Sequence, residues 1–170
     1  MKAIYLIGFM GTGKTTIGKA LGEQLKVQVT DCDDAVVENA GKSIPRIFEE
    51  EGEQGFRDME QQTLMQLPSD NHVIATGGGV VLRSENRAHM KRNGIIVWLE
   101  ASTDEILKRL ESDQTRPLLA GGNKAERIQV LYDARKDLYE MTADIRIDTT
   151  GKRPDEIIGE IMSRLAESHV

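Results

Sequence analysis

The chain has 170 residues, 39% hydrophobic and 29% charged, with a formal net charge of −6; this is the profile of one soluble globular domain over 1–170, and it excludes a disordered, fibrous or membrane-spanning chain. An acidic surface repels phosphodiester backbones, so general nucleic-acid binding is disfavoured and any anion site must be built locally. The single cysteine, Cys32, excludes an intramolecular disulfide, and His72, His89 and His169 lack metal-ligand spacing, which fits a reducing, cytoplasmic setting.

In chain order, the apolar start Ala3 to Ile7 stops at Gly8 and has neither a long h-region nor a small-residue cleavage site, so it reads as a strand. Every apolar run is cut by charge or glycine before reaching bilayer length, so no membrane partner is expected. Gly8-Phe9-Met10-Gly11-Thr12-Gly13-Lys14-Thr15 follows, a full G-x-x-x-x-G-K-[ST] pattern between a strand and a helix. Its glycines let the backbone wrap phosphates, and the helix that follows turns its positive end toward them. Lys14 is expected to reach the β- and γ-phosphates and Thr15 to complete a Mg²⁺ shell. The helix carries Ile17, Leu21 and Leu25 at four-residue steps, a buried face. This motif indicates nucleotide binding; alone it does not separate a kinase from a GTPase, a motor or a regulatory switch.

The second strand, Val27 to Thr30, runs into Asp31-Cys32-Asp33-Asp34. If this segment is extended, Asp31 and Asp33 project to one side, toward the crevice at the strand ends. One carboxylate can hold a metal through water while the other orients or deprotonates an acceptor hydroxyl. An isolated D-x-D is more often a solvated turn, but its place after a P-loop unit favours a site. Ser43 can cap a short helix with Ile47 and Phe48 that Gly52 ends, and Arg57 opens a polar helix.

The third strand, His72 to Ala75, leads to Gly77-Gly78-Gly79, where a backbone without side chains can approach a ligand closely. Ser84 begins a helix that stops near Gly94, Ile95 to Leu99 form a fourth strand, and Ser102-x-x-Glu105 offers a capping box. Residues 112–124, with Arg116-Pro117 and Gly121-Gly122, read as a lid between two helical patterns. Arg135 lies in the helix after it. A lone arginine is usually a solvated surface charge; an acceptor bearing a carboxylate, however, needs guanidinium partners. A fifth strand covers Asp144 to Ile147, and Pro154 suits the first turn of a last helix striped with Ile157, Ile158, Ile161, Met162 and Leu165. Apolar runs alternating with helical segments predict α/β architecture with a largely parallel sheet.

Together these blocks resemble the shikimate kinases: Gly-Phe-Met-Gly-Thr-Gly-Lys-Thr-Thr at 8–16, Asp-x-Asp at 31–33, Gly-Glu-Gln-Gly-Phe-Arg at 52–57, Ala-Thr-Gly-Gly-Gly at 75–79, Arg-Pro-Leu-Leu at 116–119 and Arg-Lys-Asp-Leu-Tyr at 135–139. The resemblance implies a three-layer α/β/α P-loop kinase fold, with a five-stranded parallel sheet in order 2-3-1-4-5. It implies transfer of the γ-phosphate of ATP to the 3-hydroxyl of shikimate, a step toward chorismate and the aromatic amino acids, with Mg²⁺ as cofactor. ATP and shikimate are then the partners, and a monomer is expected.

Carried over by position, Asp33, Arg57, Gly78 and Arg135 would hold shikimate within and beside a binding segment at about 31–60, flanked by Gly77 and Gly79. The two arginines would take its carboxylate and Asp33 its ring hydroxyls. Gly11, Thr12, Gly13, Lys14, Thr15 and Thr16 would hold the phosphates, and Thr15 and Asp31 the metal. Arg116 would swing in with the lid to neutralise charge during transfer, while Arg109, Pro154 and Lys152 would lie near adenine. The chain departs from the family in having Cys32 between the aspartates, where Thr or Ser is usual. Val36-Val37 also stands where the family carries Ile-Glu, with Glu38 one residue late. Two rival readings are another small-molecule P-loop kinase, such as a gluconate kinase, and a nonenzymatic ATP-binding regulator.

Overall fold

The computed structural model describes residues 1–111 and 123–168. In chain order the elements are β1 (Ala3–Ile7), α1 (Lys14–Leu25), β2 (Gln28–Asp31), α2 (Cys32–Ala40), α3 (Ile44–Gln66), β3 (His72–Ala75), a 3₁₀ turn (Val80–Leu82), α4 (Ser84–Asn93), β4 (Gly94–Glu100), α5 (Thr103–Leu110), α6 (Lys124–Thr142), β5 (Ile145–Asp148) and α7 (Pro154–Ser168). The strands form one five-stranded sheet in the order β2-β3-β1-β4-β5, and every pairing is parallel. Each predicted strand falls within one residue of its observed bounds.

Alternation along β1 divides the core into two layers. Tyr5 and Ile7 face one side with Ile74, Ile96 and Trp98, covered by Leu64 of α3, Met90 of α4 and Tyr139 of α6. Ile4 and Leu6 face the other side with Val97 and Ile147, covered by Ile17 and Leu21 of α1 and Ile157, Ile161 and Leu165 of α7. A smaller cluster, Val36 of α2 with Ile47 and Phe56 of α3, sits apart from both layers. Helices on both faces of a parallel sheet leave the carboxyl ends of its strands as the ligand crevice. No helix among the described residues is long and apolar enough to cross a membrane.

Two local expectations are corrected. Gly52, at φ 73° and ψ 179°, breaks α3 as foreseen, but the chain resumes helix at once. Arg57 therefore lies inside a helix and is buried, 6% exposed, rather than opening a polar one. Ser102 does cap α5, accepting from the Glu105 N–H at 3.2 Å, yet the reciprocal half of the box is missing. The Ser102 N–H donates to Thr150 Oγ1 instead, and Glu105 is engaged by Arg109 and the Gly151 N–H.

Candidate active site

Two adjoining cavities open at the carboxyl ends of β1, β2 and β3. The first, about 420 Å³, is lined by the loop from Met10 to Gly13, the start of α1 with Lys14, Thr15 and Thr16, and then Asp31, Asp33, Gly77, Gly78, Arg109, Lys152, Pro154 and Ile157. Gly13 holds φ 87° as the residue preceding α1, a left-handed turn that glycine adopts without a Cβ penalty. That turn aims the free N–H groups of the helix start at the cavity. Thr12 Oγ1 donates to the Phe9 carbonyl at 2.8 Å. Lys14 Nζ folds back onto the loop, donating to the carbonyls of Gly8 (2.6 Å) and Phe9 (2.9 Å). On the far wall Arg109 donates to the Gly11 carbonyl and to Glu105, and Lys152 pairs with Glu160 at 2.8 Å.

Asp31 and Asp33 both reach this cavity, but not by strand alternation. Asp31 ends β2 and caps α2, its side chain accepting from the Asp34 N–H. Asp33 is already in the first turn of that helix. A helix start directly on the strand end brings both carboxylates to the crevice with Cys32 turned into the core. Burial pushes the Cys32 thiol well above its ordinary pKa, reinforced by Glu60, Asp33 and Asp31. Thr15 Oγ1 donates to Asp31 Oδ2 at 2.5 Å. A hydroxyl and a carboxylate converging at the foot of a phosphate loop form an all-oxygen donor set suited to Mg²⁺.

The second cavity, about 510 Å³, shares Met10, Thr15, Asp31, Asp33, Gly77 and Gly78 with the first, and adds Arg57, Glu60, Gly79 and Arg135 along a wall of Val37, Ile44, Pro45, Phe48 and Phe56. Arg57 Nη1 donates to Glu60 Oε1 at 2.9 Å, its guanidinium lies 5.1 Å from the Phe56 ring centroid, and Glu53 is 3.6 Å from its Nε. Glu60 is 1% exposed; burial raises its pKa, the Arg57 charge opposes that, and Asp33 adds to it. Arg135 is 3% exposed and stands over the Phe9 ring at 5.9 Å.

The glycine run explains how these charges crowd together. A Cβ at Gly79 would overlap the Arg57 guanidinium, and one at Gly77 would stand 2.7 Å from Glu60 Oε2 and 2.9 Å from Asp33 Oδ1. At Gly78 it would stand 3.4 Å from Arg135 Nη1. Two guanidiniums and two carboxylates thus surround a backbone stripped of side chains, in a cavity with one apolar wall. Such a pocket suits a small ring carrying a carboxylate and several hydroxyls.

Every residue singled out from the sequence lines one of the two cavities except Arg116, which lies outside the described residues along with 112–122 of the expected lid. Sequence reasoning missed Glu60 and the apolar wall. Glu60 follows Arg57 by three residues, helical pairing distance, and that spacing could have found it. Where the family pattern has a glutamate this chain has Val37, which lines the second cavity, while Glu38 is exposed.

The family model described as Shikimate kinase matches residues 10–166. A shikimate kinase of Enterococcus faecalis is 44% identical over 169 residues, covering 98% of this chain and 100% of the relative. One of Bacillus anthracis is 45% identical over 167 residues, with 98% and 100% covered. Among solved structures, the shikimate kinase of Acinetobacter baumannii in complex with shikimate superposes with a TM-score of 0.95 at 35% identity, over 99% of this chain and 94% of that one. The enzyme from Aquifex aeolicus superposes at 0.83 with 36% identity, over 98% of each chain. Joined to a P-loop cavity that adjoins a guanidinium-lined second cavity, these likenesses establish that the chain belongs to the shikimate kinase family.

Proposed function

We propose that this chain transfers the γ-phosphate of ATP to the 3-hydroxyl of shikimate, giving ADP and shikimate 3-phosphate. The observation that carries the reading is the shared wall of the two cavities. Met10, Thr15, Asp31, Asp33, Gly77 and Gly78 belong to both, so a phosphate held by the loop and a hydroxyl held beside Asp33 are brought to one boundary. Arg57 and Arg135 take the acceptor's carboxylate in paired hydrogen bonds. Asp33 accepts from a ring hydroxyl and holds its oxygen toward the phosphorus, where it can receive the proton as the new bond forms. Glu60 keeps Arg57 in its rotamer through the 2.9 Å hydrogen bond.

On the nucleotide side, Lys14 leaves its carbonyl partners to meet the β- and γ-phosphates, with Gly11, Thr12, Gly13 and Thr16 around them. Arg109, Lys152 and Pro154 border the adenine end. Thr15 and Asp31 would hold Mg²⁺, which supplies charge neutralisation on the phosphate oxygens. Alignment and charge stabilisation are most of what phosphoryl transfer asks of a protein, and Arg116 is assigned the charge-neutralising role as the site closes.

The test is ADP production by the purified protein with ATP and Mg²⁺ in the presence of shikimate, gluconate, quinate or no acceptor. Release stimulated by shikimate alone is expected. ATP binding without stimulation by shikimate would overturn the acceptor assignment, and stimulation by gluconate would favour the rival sugar-acid kinase.

A further inference from the structure

The second half of α3 carries both Arg57 and Glu60, yet the Gly52 break separates it from the first half of the helix. Something must set its position against the glycine run. The run itself is firmly held: Tyr139 of α6 donates to the Gly78 carbonyl at 2.5 Å, Asn86 of α4 to that of Val80 at 3.0 Å, and Arg87 to that of Val81 at 2.6 Å. Arg83 follows the 3₁₀ turn that continues the run, and its side chain crosses to α3. Its Nη1 donates to Gln61 Oε1 at 2.9 Å and pairs with Asp58 Oδ1 at 2.8 Å, and its Nη2 donates to Gln54 Oε1 at 3.1 Å.

Residues 54, 58 and 61 are spaced as one stripe of a helix, and Arg57 and Glu60 occupy the adjoining stripe. One guanidinium therefore grips three consecutive rungs of the helix that presents the acceptor's anchor. A planar fork spreads its donors over two nitrogens to reach these three acceptors, a spacing that the compact point charge of an ammonium does not match. We infer that Arg83 is a positioning residue of the acceptor site, transmitting the anchorage of the glycine run to the second half of α3 so that Arg57 is held against Gly79. The inference rests on the assignment of Arg57 to the acceptor's carboxylate.

The test is steady-state kinetics of Arg83→Met, which keeps the aliphatic stem and removes the fork. Because the anchor acts before and during transfer alike, the KM for shikimate should rise about tenfold or more with kcat changed far less and the KM for ATP unchanged. A Gln54→Ala/Gln61→Ala variant, which leaves Arg83 intact, should shift the shikimate KM in the same direction, and joining it to Arg83→Met should add little. An unchanged shikimate KM in Arg83→Met overturns the inference. So do a parallel rise of both KM values with a lowered melting midpoint, the mark of a merely structural role, and full additivity of the two variants. Calorimetric titration of Arg57→Ala separates the underlying reading: normal shikimate affinity there overturns both, whereas lost affinity with an unmoved Arg83→Met overturns the clamp alone.

Discussion

Arg57 and Glu60, one turn apart on α3, form an ion pair at 2.9 Å in which each partner is almost wholly enclosed, with side-chain exposures of 7% and 1%. Glu60 is therefore the buried counter-charge of a cation that lines the second cavity. Arg57→Ala is expected to abolish detectable shikimate binding in calorimetric titration while ATP binding persists. It also strands a buried carboxyl, at a cost of about 1–3 kcal/mol once that group takes up a proton. Glu60 is already raised above its ordinary value of 4.5 by burial, and losing Arg57 raises it further. The stability contribution of a raised acid is fully present below its unfolded pKa and is lost as pH rises through the folded one. Urea denaturation should therefore find the destabilisation of Arg57→Ala growing from about pH 4.5 toward neutrality.

Gly79 permits this arrangement because the Arg57 guanidinium fills the space a Cβ would take. Gly79→Ala should displace the guanidinium and cost about 1–3 kcal/mol of acceptor binding, the usual penalty of overpacking. The KM for shikimate is the measurement, with the KM for ATP as the unaffected control.

The Thr15–Asp31 hydrogen bond at 2.5 Å joins the two residues that would hold Mg²⁺. Asp31→Asn should raise the Mg²⁺ concentration for half-maximal activity about 10- to 100-fold, the range for lost outer-shell partners. Shikimate affinity measured without nucleotide should stay unchanged.

Arg116→Ala should lower kcat by about three orders of magnitude if it neutralises charge only during transfer, with shikimate affinity retained. Unchanged turnover would remove that role.

His72 and His89 both have pKa values lowered by burial, with Arg92 adding to the effect at His89. A depressed base stabilises the fold fully above its unfolded value of 6.5, and that contribution is lost as pH falls through the folded pKa. Thermal melts should show a midpoint that declines below about pH 6.5, and His89→Gln should flatten the decline. This trend opposes that of Glu60, so the two are separable only by comparing variants.

What the sequence determined by itself was carried by local chemistry. Short apolar runs cut off by charge or glycine located every strand to within a residue, because the strands of a sheet covered on both faces, such as β1 and β3, are buried along their whole length. The glycine spacing before Lys14 announced a phosphate loop, because only that backbone path leaves N–H groups free to point inward. Resemblance across the separate blocks then named the family. What only the tertiary structure decided was which helix faces meet across long stretches of chain. Asp33 reaches the crevice from the first turn of α2 and not from a strand, because Asp31 both ends β2 and caps the helix. Glu60 is a buried counter-charge and not a surface acid, because α3 lays that stripe against Gly77. Arg83 looks like any exposed arginine in the sequence, and becomes a clamp only because Gln54, Asp58 and Gln61 pass within hydrogen-bond reach. Burial and long-range pairing depend on the packing of whole elements, and no short window of residues contains that information.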